Sequence, residues 1–176
     1  SRCSFVAMTT NRQILTEQSM AKLVTQIHQW GHELGFQQLA IADTQLKEHG
    51  DHLSQWLADE FHGEMHYMTE RAELRRNPEQ LLPGTCRIIT VLMDYLPEDV
   101  ATDKFLDHPQ KAYISRYALG RDYHKVIRKR LQKLADKISA AAGDFGYRAF
   151  VDSAPVLEKA LAEKSGLGWI GKHTLL

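Results

Sequence analysis

The last thirty residues, Tyr147 to Leu176, read YRAFVDSAPVLEKALAEKSGLGWIGKHTLL and constrain the fold more than any other stretch. Tyr147 to Val151 alternates in bulk and is rich in aromatic and β-branched residues, which predicts a strand. Asp152-Ser153-Ala154-Pro155 then turns the chain. Asp and Ser are good helix N-caps, and proline is tolerated just inside a helix start. Val156, Leu157, Ala160 and Leu161 make one apolar helical face, and Gly166 supplies the stop. Asp152 is therefore expected at the carboxyl end of a strand and the amino end of a helix, where open α/β sheets bind ligands. From the residues alone it is either an N-cap or a catalytic acid.

The loop that follows holds two misleading spellings. Gly166 to Gly171 reads G-x-G-x-x-G, but a dinucleotide fingerprint needs a strand before it and a helix after it. Here a helix comes first. Gly166 to Lys172 nearly reads as a phosphate-binding loop, but His173 stands where that loop needs Ser or Thr. A close-approach backbone remains, with one cation, Lys172, and one aromatic, Trp169.

Along the rest of the chain, Met20, Leu23, Val24, Ile27, Trp30 and Leu34 recur at helical spacing, and Gly35 ends that helix. Leu39 to Ala42 reads as a short strand. Leu53, Trp56 and Leu57 belong to a second helix. Arg71 to Arg76 carries three arginines around Glu73 and reads as a solvated helix face. Arg87 to Met93 is almost continuously apolar, as a strand covered on both faces must be. Pro97 to Pro109 reads as a loop and Tyr113 to Tyr117 as another strand. Asp122 caps the longest helix, whose apolar face is Tyr123, Val126, Ile127, Leu131, Leu134 and Ile138.

That helix also concentrates charge in a chain whose net charge is zero. Eight cations (Arg116, Arg121, Lys125, Arg128, Lys129, Arg130, Lys133 and Lys137) face only Asp122 and Asp136. Such a face either tracks nucleic-acid phosphates or keeps the protein soluble. The two cysteines, Cys3 and Cys86, form no metal or disulfide framework, which fits a reducing cytoplasm. His28 and His32 are a helical pair without further ligands, so no metal site is expected. No apolar run is long enough to span a bilayer. Residues 1–16 are expected to be a disordered or expression-derived extension, and 17–176 one domain. Helices alternate with strands, so the expected class is α/β (α+β), layered helix–sheet–helix.

Three stretches together carry a resemblance: VDSAPVLEKALAEKSGLGWIGKHTLL, LLPGTCRIITVLMDYLP (Leu81 to Pro97) and SRYALGRDYHKVIRKRL (Ser115 to Leu131). In that order they resemble the cobalamin domain of the epoxyqueuosine reductases, a family that completes queuosine in tRNA. The resemblance runs from about Met20 to Leu176. It implies a nitroreductase-like domain similar to the cobalamin core of reductive dehalogenases. It also implies reduction of the epoxide at the tRNA wobble position, with Asp152 as the proton donor.

By the same resemblance Arg75, Ser115, Arg116, Gly168, Gly171, Lys172 and Leu176 are expected near the cobalamin. Tyr123, His124, Lys159, Lys125 and Arg128 are expected toward the substrate or tRNA. Lys159 stands where the family often has Arg, which keeps the charge and loses the two-pronged geometry. The family continues into a ferredoxin-like domain with two 4Fe-4S clusters, whose cysteines this chain lacks. A cytoplasmic monomer is expected. Two other readings stay open from the residues: a flavin or nicotinamide reductase of nitroreductase-like fold, and a non-catalytic tRNA-binding module.

Overall fold

A computed structural model describes residues 2–9, 16–95 and 106–175. Four strands, β1 (Arg2–Thr9), β2 (Gln38–Ala42), β3 (Thr85–Met93) and β4 (Tyr147–Phe150), form one sheet in the order β2-β3-β1-β4. Every neighbouring pair is antiparallel, with Val6 opposite both Ile89 and Ala149, and Ile41 also opposite Ile89. The rule that ligands sit at the carboxyl ends of a parallel sheet therefore does not place this site.

The helices are α1 (Glu17–Glu33), α2 (Lys47–Ala58), α3 (His66–Glu70), α4 (Ala72–Arg76), α5 (Tyr123–Ala142) and α6 (Glu158–Lys164). Because strand side chains alternate, β3 feeds two cores. Ile89 and Val91 meet α1 and α5 through Ile27, Ile127, Leu131, Leu134 and Ile138. Ile88 meets α6 on the other face through Ala160 and Leu161, with Leu46 and Phe150. Each fully buried aliphatic side chain contributes about 1.5–3 kcal/mol relative to exposure. The expected helix–sheet–helix layering is thus present, around an antiparallel sheet.

Two expectations are corrected. Residues 2–9 are not a disordered extension: they form an interior strand in which Ser4, Val6 and Ala7 are buried. Short and mixed in polarity, this run has no periodicity that separates it from a tail, and its pairing with β3 and β4 decides its state. Residues 10–15 lie outside the described residues. Tyr113 to Tyr117 is not a strand. It leads into a 3-10 turn at Arg116–Ala118, and Tyr113, Ile114 and Tyr117 stay exposed. Its aromatic and β-branched content mimics a strand, but no sheet edge takes it up. Of the expected loop from Pro97 to Pro109, residues 97–105 lie outside the described residues.

Candidate functional site

Asp152 stands at the end of β4, and the structure removes its reading as a helix cap. Helix α6 begins only at Glu158, with Leu157 at the cap position and no side-chain capping bond. The helix dipole acts within the first turn and does not reach back to Asp152. The backbone at Asp152 is left-handed, with φ 51°. That region is sparsely used by residues other than glycine, though Asp and Asn tolerate it best. Such an outlier points toward a functional constraint.

What holds the side chain is helix α5. The Tyr123 hydroxyl donates to Asp152 Oδ2. His124 Nε2 lies 3.8 Å from the same oxygen. On the other side of the imidazole, Nδ1 is 3.0 Å from Asp122 Oδ1, which also accepts the His124 backbone N–H at 3.0 Å. One carboxylate thus caps α5 and orients the ring. The hydrogen bond from His124 is the main cause that holds the Asp122 carboxyl below its usual range, although burial works against it. Tyr123 and His124 stack with centroids 3.9 Å apart, and Tyr117 packs edge-on against Tyr123 at 6.2 Å. Ser115 and Arg116 belong to that Tyr117 turn, where Arg116 Nε donates to Tyr113 Oη at 3.4 Å.

The segment from Ser153 to Leu157 contributes to the walls of two cavities. One, about 550 Å³, is walled by Leu53, Trp56, Met68, Val156, Leu157, Ala160 and Ile170, with Arg75 and Lys159 as its cations. Arg75 is fixed by Tyr67, whose carbonyl accepts at 3.4 Å and whose ring lies 5.9 Å below the guanidinium. Burial is the main influence on Arg75 and lowers its pKa. The other cavity, about 460 Å³, is lined by Arg71, Arg128, Arg148 and Ser153 among others.

Gly168 and Gly171 line a third cavity with Trp169 and His173, while Ile170 and Thr174 of the same segment face the Arg75 cavity. Gly171 is a close-approach position, because a Cβ there would stand 2.6 Å from the His173 ring. Lys172 is exposed and lines none of these three cavities. Leu176 lies outside the described residues. Lys125 and Arg128 are exposed on α5. The basic face is shorter than its sequence, since Arg130 turns inward to the Gly35 carbonyl and Lys137 pairs with Glu33 at 3.0 Å.

The segment after α6 is a helix stop. Gly166, at φ 80°, donates to the Glu163 carbonyl and Leu167 to that of Ala162, a Schellman ending. No strand leads into Gly166 to Gly171, so the dinucleotide spelling has no structural support. Sequence reasoning missed the second role of Asp122 and the Arg71–Arg148–Ser153 grouping. The first had a signal: a capping Asp two residues before a histidine. The second had none, because those arginines come from different elements.

These features define a mixed helix-and-strand domain that brings a carboxyl group, an imidazole and a phenol together where β4 meets the start of α5. Known proteins share its sequence. Residues 75–153 match the family described as Epoxyqueuosine reductase QueG, DUF1730. The chain is 60% identical over 156 residues to the epoxyqueuosine reductase of Pseudomonas aeruginosa, covering 89% of this chain and 43% of that protein. It is 52% identical over 155 residues to the Escherichia coli enzyme, covering 88% of this chain and 41% of that one. The chain is similar to these epoxyqueuosine reductases along most of its length and spans less than half the length of these relatives.

Solved structures agree on the fold. A Streptococcus thermophilus epoxyqueuosine reductase superposes with a TM-score of 0.68 at 23% identity, over 87% of this chain and 41% of that one. An epoxyqueuosine reductase crystallised with an epoxyqueuosine-modified tRNA stem loop gives 0.70 at 21% identity, over 89% of this chain and 41% of that one. Among the described residues no helix is long and apolar enough to cross a membrane.

Proposed function

We propose that this chain is the acid-bearing part of an enzyme that reduces epoxyqueuosine to queuosine at the tRNA wobble position. The observation that carries the reading is Asp152, held in a left-handed backbone by the Tyr123 hydroxyl and facing His124. The overall change converts an epoxide, two electrons and two protons into an alkene and water. Asp152 gives a proton to the epoxide oxygen as the carbon–oxygen bond breaks. A single carboxyl group holds one proton, and two are needed. The second proton reaches Asp152 by way of His124, whose Nε2 faces it while Asp122 holds Nδ1. Such proton transfer contributes roughly 100-fold to 10,000-fold in rate.

The cofactor that fits this reading is cobalamin, in a nitroreductase-like domain resembling that of the reductive dehalogenases. In support, the Arg75 cavity combines apolar walls with two cations, suiting a group with a hydrophobic ring and a polar, phosphate-bearing edge. Arg75 and Lys159 would hold that edge. At about 550 Å³ the cavity matches a drug-sized ligand, so a group as large as cobalamin needs further walls. Bound there, cobalamin supplies a reduced cobalt centre for the cleavage. Electrons would come through two 4Fe-4S clusters elsewhere in the full-length protein. That protein acts as a cytoplasmic monomer on tRNA, whose wobble base is single-stranded and cheap to present.

The test is Asp152→Asn in the full-length protein, assayed on tRNA carrying epoxyqueuosine by mass spectrometry of released nucleosides. Asn tolerates the left-handed backbone but has no transferable proton. Turnover is expected to fall about 100-fold or more while the cobalamin spectrum and thermal midpoint are kept. A loaded variant with near-wild-type turnover removes Asp152 as the donor.

A further inference from the structure

The cavity behind the Asp152 loop is cationic on every charged side. Arg71, Arg128 and Arg148 line it, and among the described residues no carboxylate does. The cavities around it are mixed: the one at Arg76 contains Asp51 and Glu79, and the one at Arg75 contains Glu158. Among the described residues, none of the three guanidinium groups pairs with a carboxylate. Arg76, by contrast, has Asp51 at 3.7 Å, and Lys164 has Asp43. Three like charges gathered around one concavity repel one another unless an anion joins them.

Their surroundings show which anion. Arg128 Nη2 donates to Ser153 Oγ at 3.5 Å, so a hydroxyl stands beside the cations. Arg148 is held in place by the Leu81 carbonyl at 3.2 Å and by the Phe150 ring 4.9 Å below its guanidinium. Guanidinium forks match the paired oxygens of a phosphate better than they match a spherical anion. An apolar floor next to the charge suits the sugar or base attached to that phosphate. We propose that this cavity binds the phosphodiester of a nucleotide, held by Arg71, Arg128, Arg148 and Ser153. Ser153 follows Asp152 directly, so the bound nucleotide is a neighbour of the reacting one. That last step rests on the proposed reading of Asp152 as the acid. A phosphodiester also occurs in the cobalamin tail, and the experiment separates the two sources.

Arg71→Gln and Arg128→Gln, singly and together, would be made in the full-length protein with Arg148→Gln as a third change. The guanidinium of Arg71 has no hydrogen-bond or ionic partner among the described residues, so its removal spares the fold. Binding of an unmodified anticodon stem–loop RNA and of cob(II)alamin would be titrated across salt concentrations. Each lost phosphate contact should weaken RNA binding several-fold and reduce the log–log salt slope by about 0.7, the single-strand value. Lys133→Gln, an exposed cation elsewhere on α5, should leave RNA binding within twofold. Arg71→Lys, which keeps charge but loses the fork, should recover only part of the affinity.

Loss of RNA binding with intact cobalamin binding assigns the site to nucleic acid, and the reverse assigns it to the cofactor tail. Unchanged binding of both, or an equal loss in Lys133→Gln, overturns the proposal. Asp152→Asn separates this from the acid assignment. Arginine-dependent RNA binding beside an active Asp152→Asn sinks only the acid. Normal binding in the arginine variants beside an inactive Asp152→Asn sinks only the phosphate site.

Discussion

At the scale of single residues, backbone conformation separates functional from structural positions. Asp152 and Gly166 both sit at positive φ, 51° and 80°, within one loop and helix of each other. Gly166 has nothing within 4 Å of where a Cβ would stand, so only the backbone term opposes a side chain there. Gly166→Ala should therefore cost roughly 1–2 kcal/mol, and Gly166→Asn clearly less, because Asn adopts this region more readily. Urea unfolding of the two variants checks this; equal losses would mean that the open space is filled in solution. Asp152→Ala, carrying a Cβ at the same kind of φ, should lose stability beyond Asp152→Asn, which keeps the local tolerance. The stop at Gly166 was legible because a helix end that needs φ > 0 selects glycine. The strain at Asp152 was not, since the same D-S-A-P spelling fits an ordinary N-cap.

At the scale of elements, α5 is where most of the site was legible. Asp122 was readable as its cap and Tyr123 to Ile138 as its apolar face, and the helix spans Tyr123–Ala142. The use of that cap to aim His124 became visible only once β4 brought Asp152 across the helix start. Asp122→Ala should remove both functions, costing about 1 kcal/mol of stability and lowering turnover. Asp122→Ser should restore the cap without reaching the imidazole, so stability returns and turnover does not. Recovery of both in the Ser variant would reduce Asp122 to a cap.

Helix α6 is tied to β2 by a different carboxylate. Lys164 donates to Asp43 and to the Gln45 carbonyl, and that bond is the main cause lowering the Asp43 pKa below its usual value. A carboxyl group whose folded pKa is depressed stabilises the fold above its unfolded pKa, about 3.9. That contribution disappears as pH falls through the folded value. The thermal midpoint of the wild type should therefore drop more steeply below about pH 4 than that of Asp43→Asn, with parallel curves above about pH 5. Identical acid limbs would show that the ion pair does not persist in solution.

At the scale of the molecule, alternation within strands organises the fold, and the sequence shows it unevenly. The near-continuous apolar run of β3 could be read as covered on both faces, because burial on both sides removes the polar half of the pattern. It did not reveal the antiparallel order, which depends on β1, a strand built from Arg2–Thr9 that lacks any local signal. Nor did it predict that Arg71, Arg75 and Arg76, grouped within six residues at α4 and its cap, would diverge. They face the cavity beside Ser153, the Arg75 cavity and Asp51 respectively. Adjacent β3 residues now make the two-core arrangement testable. Ile88 packs in the core on the α6 face, whereas Ile127 of α5 packs in the opposite core with Ile89. Ile88→Val and Ile127→Val should each cost about 0.5–1.5 kcal/mol. Sharing no core partner, the two losses should add to within about 0.5 kcal/mol in the double variant. Ile89→Val with Ile127→Val, which share one core, is the contrasting pair and should deviate from additivity. If the Ile88–Ile127 pair couples as strongly as the Ile89–Ile127 pair in urea unfolding, the sheet does not insulate its two faces. The Asp152 loop, which follows β4 where both cores meet, would then feel substitutions on either side.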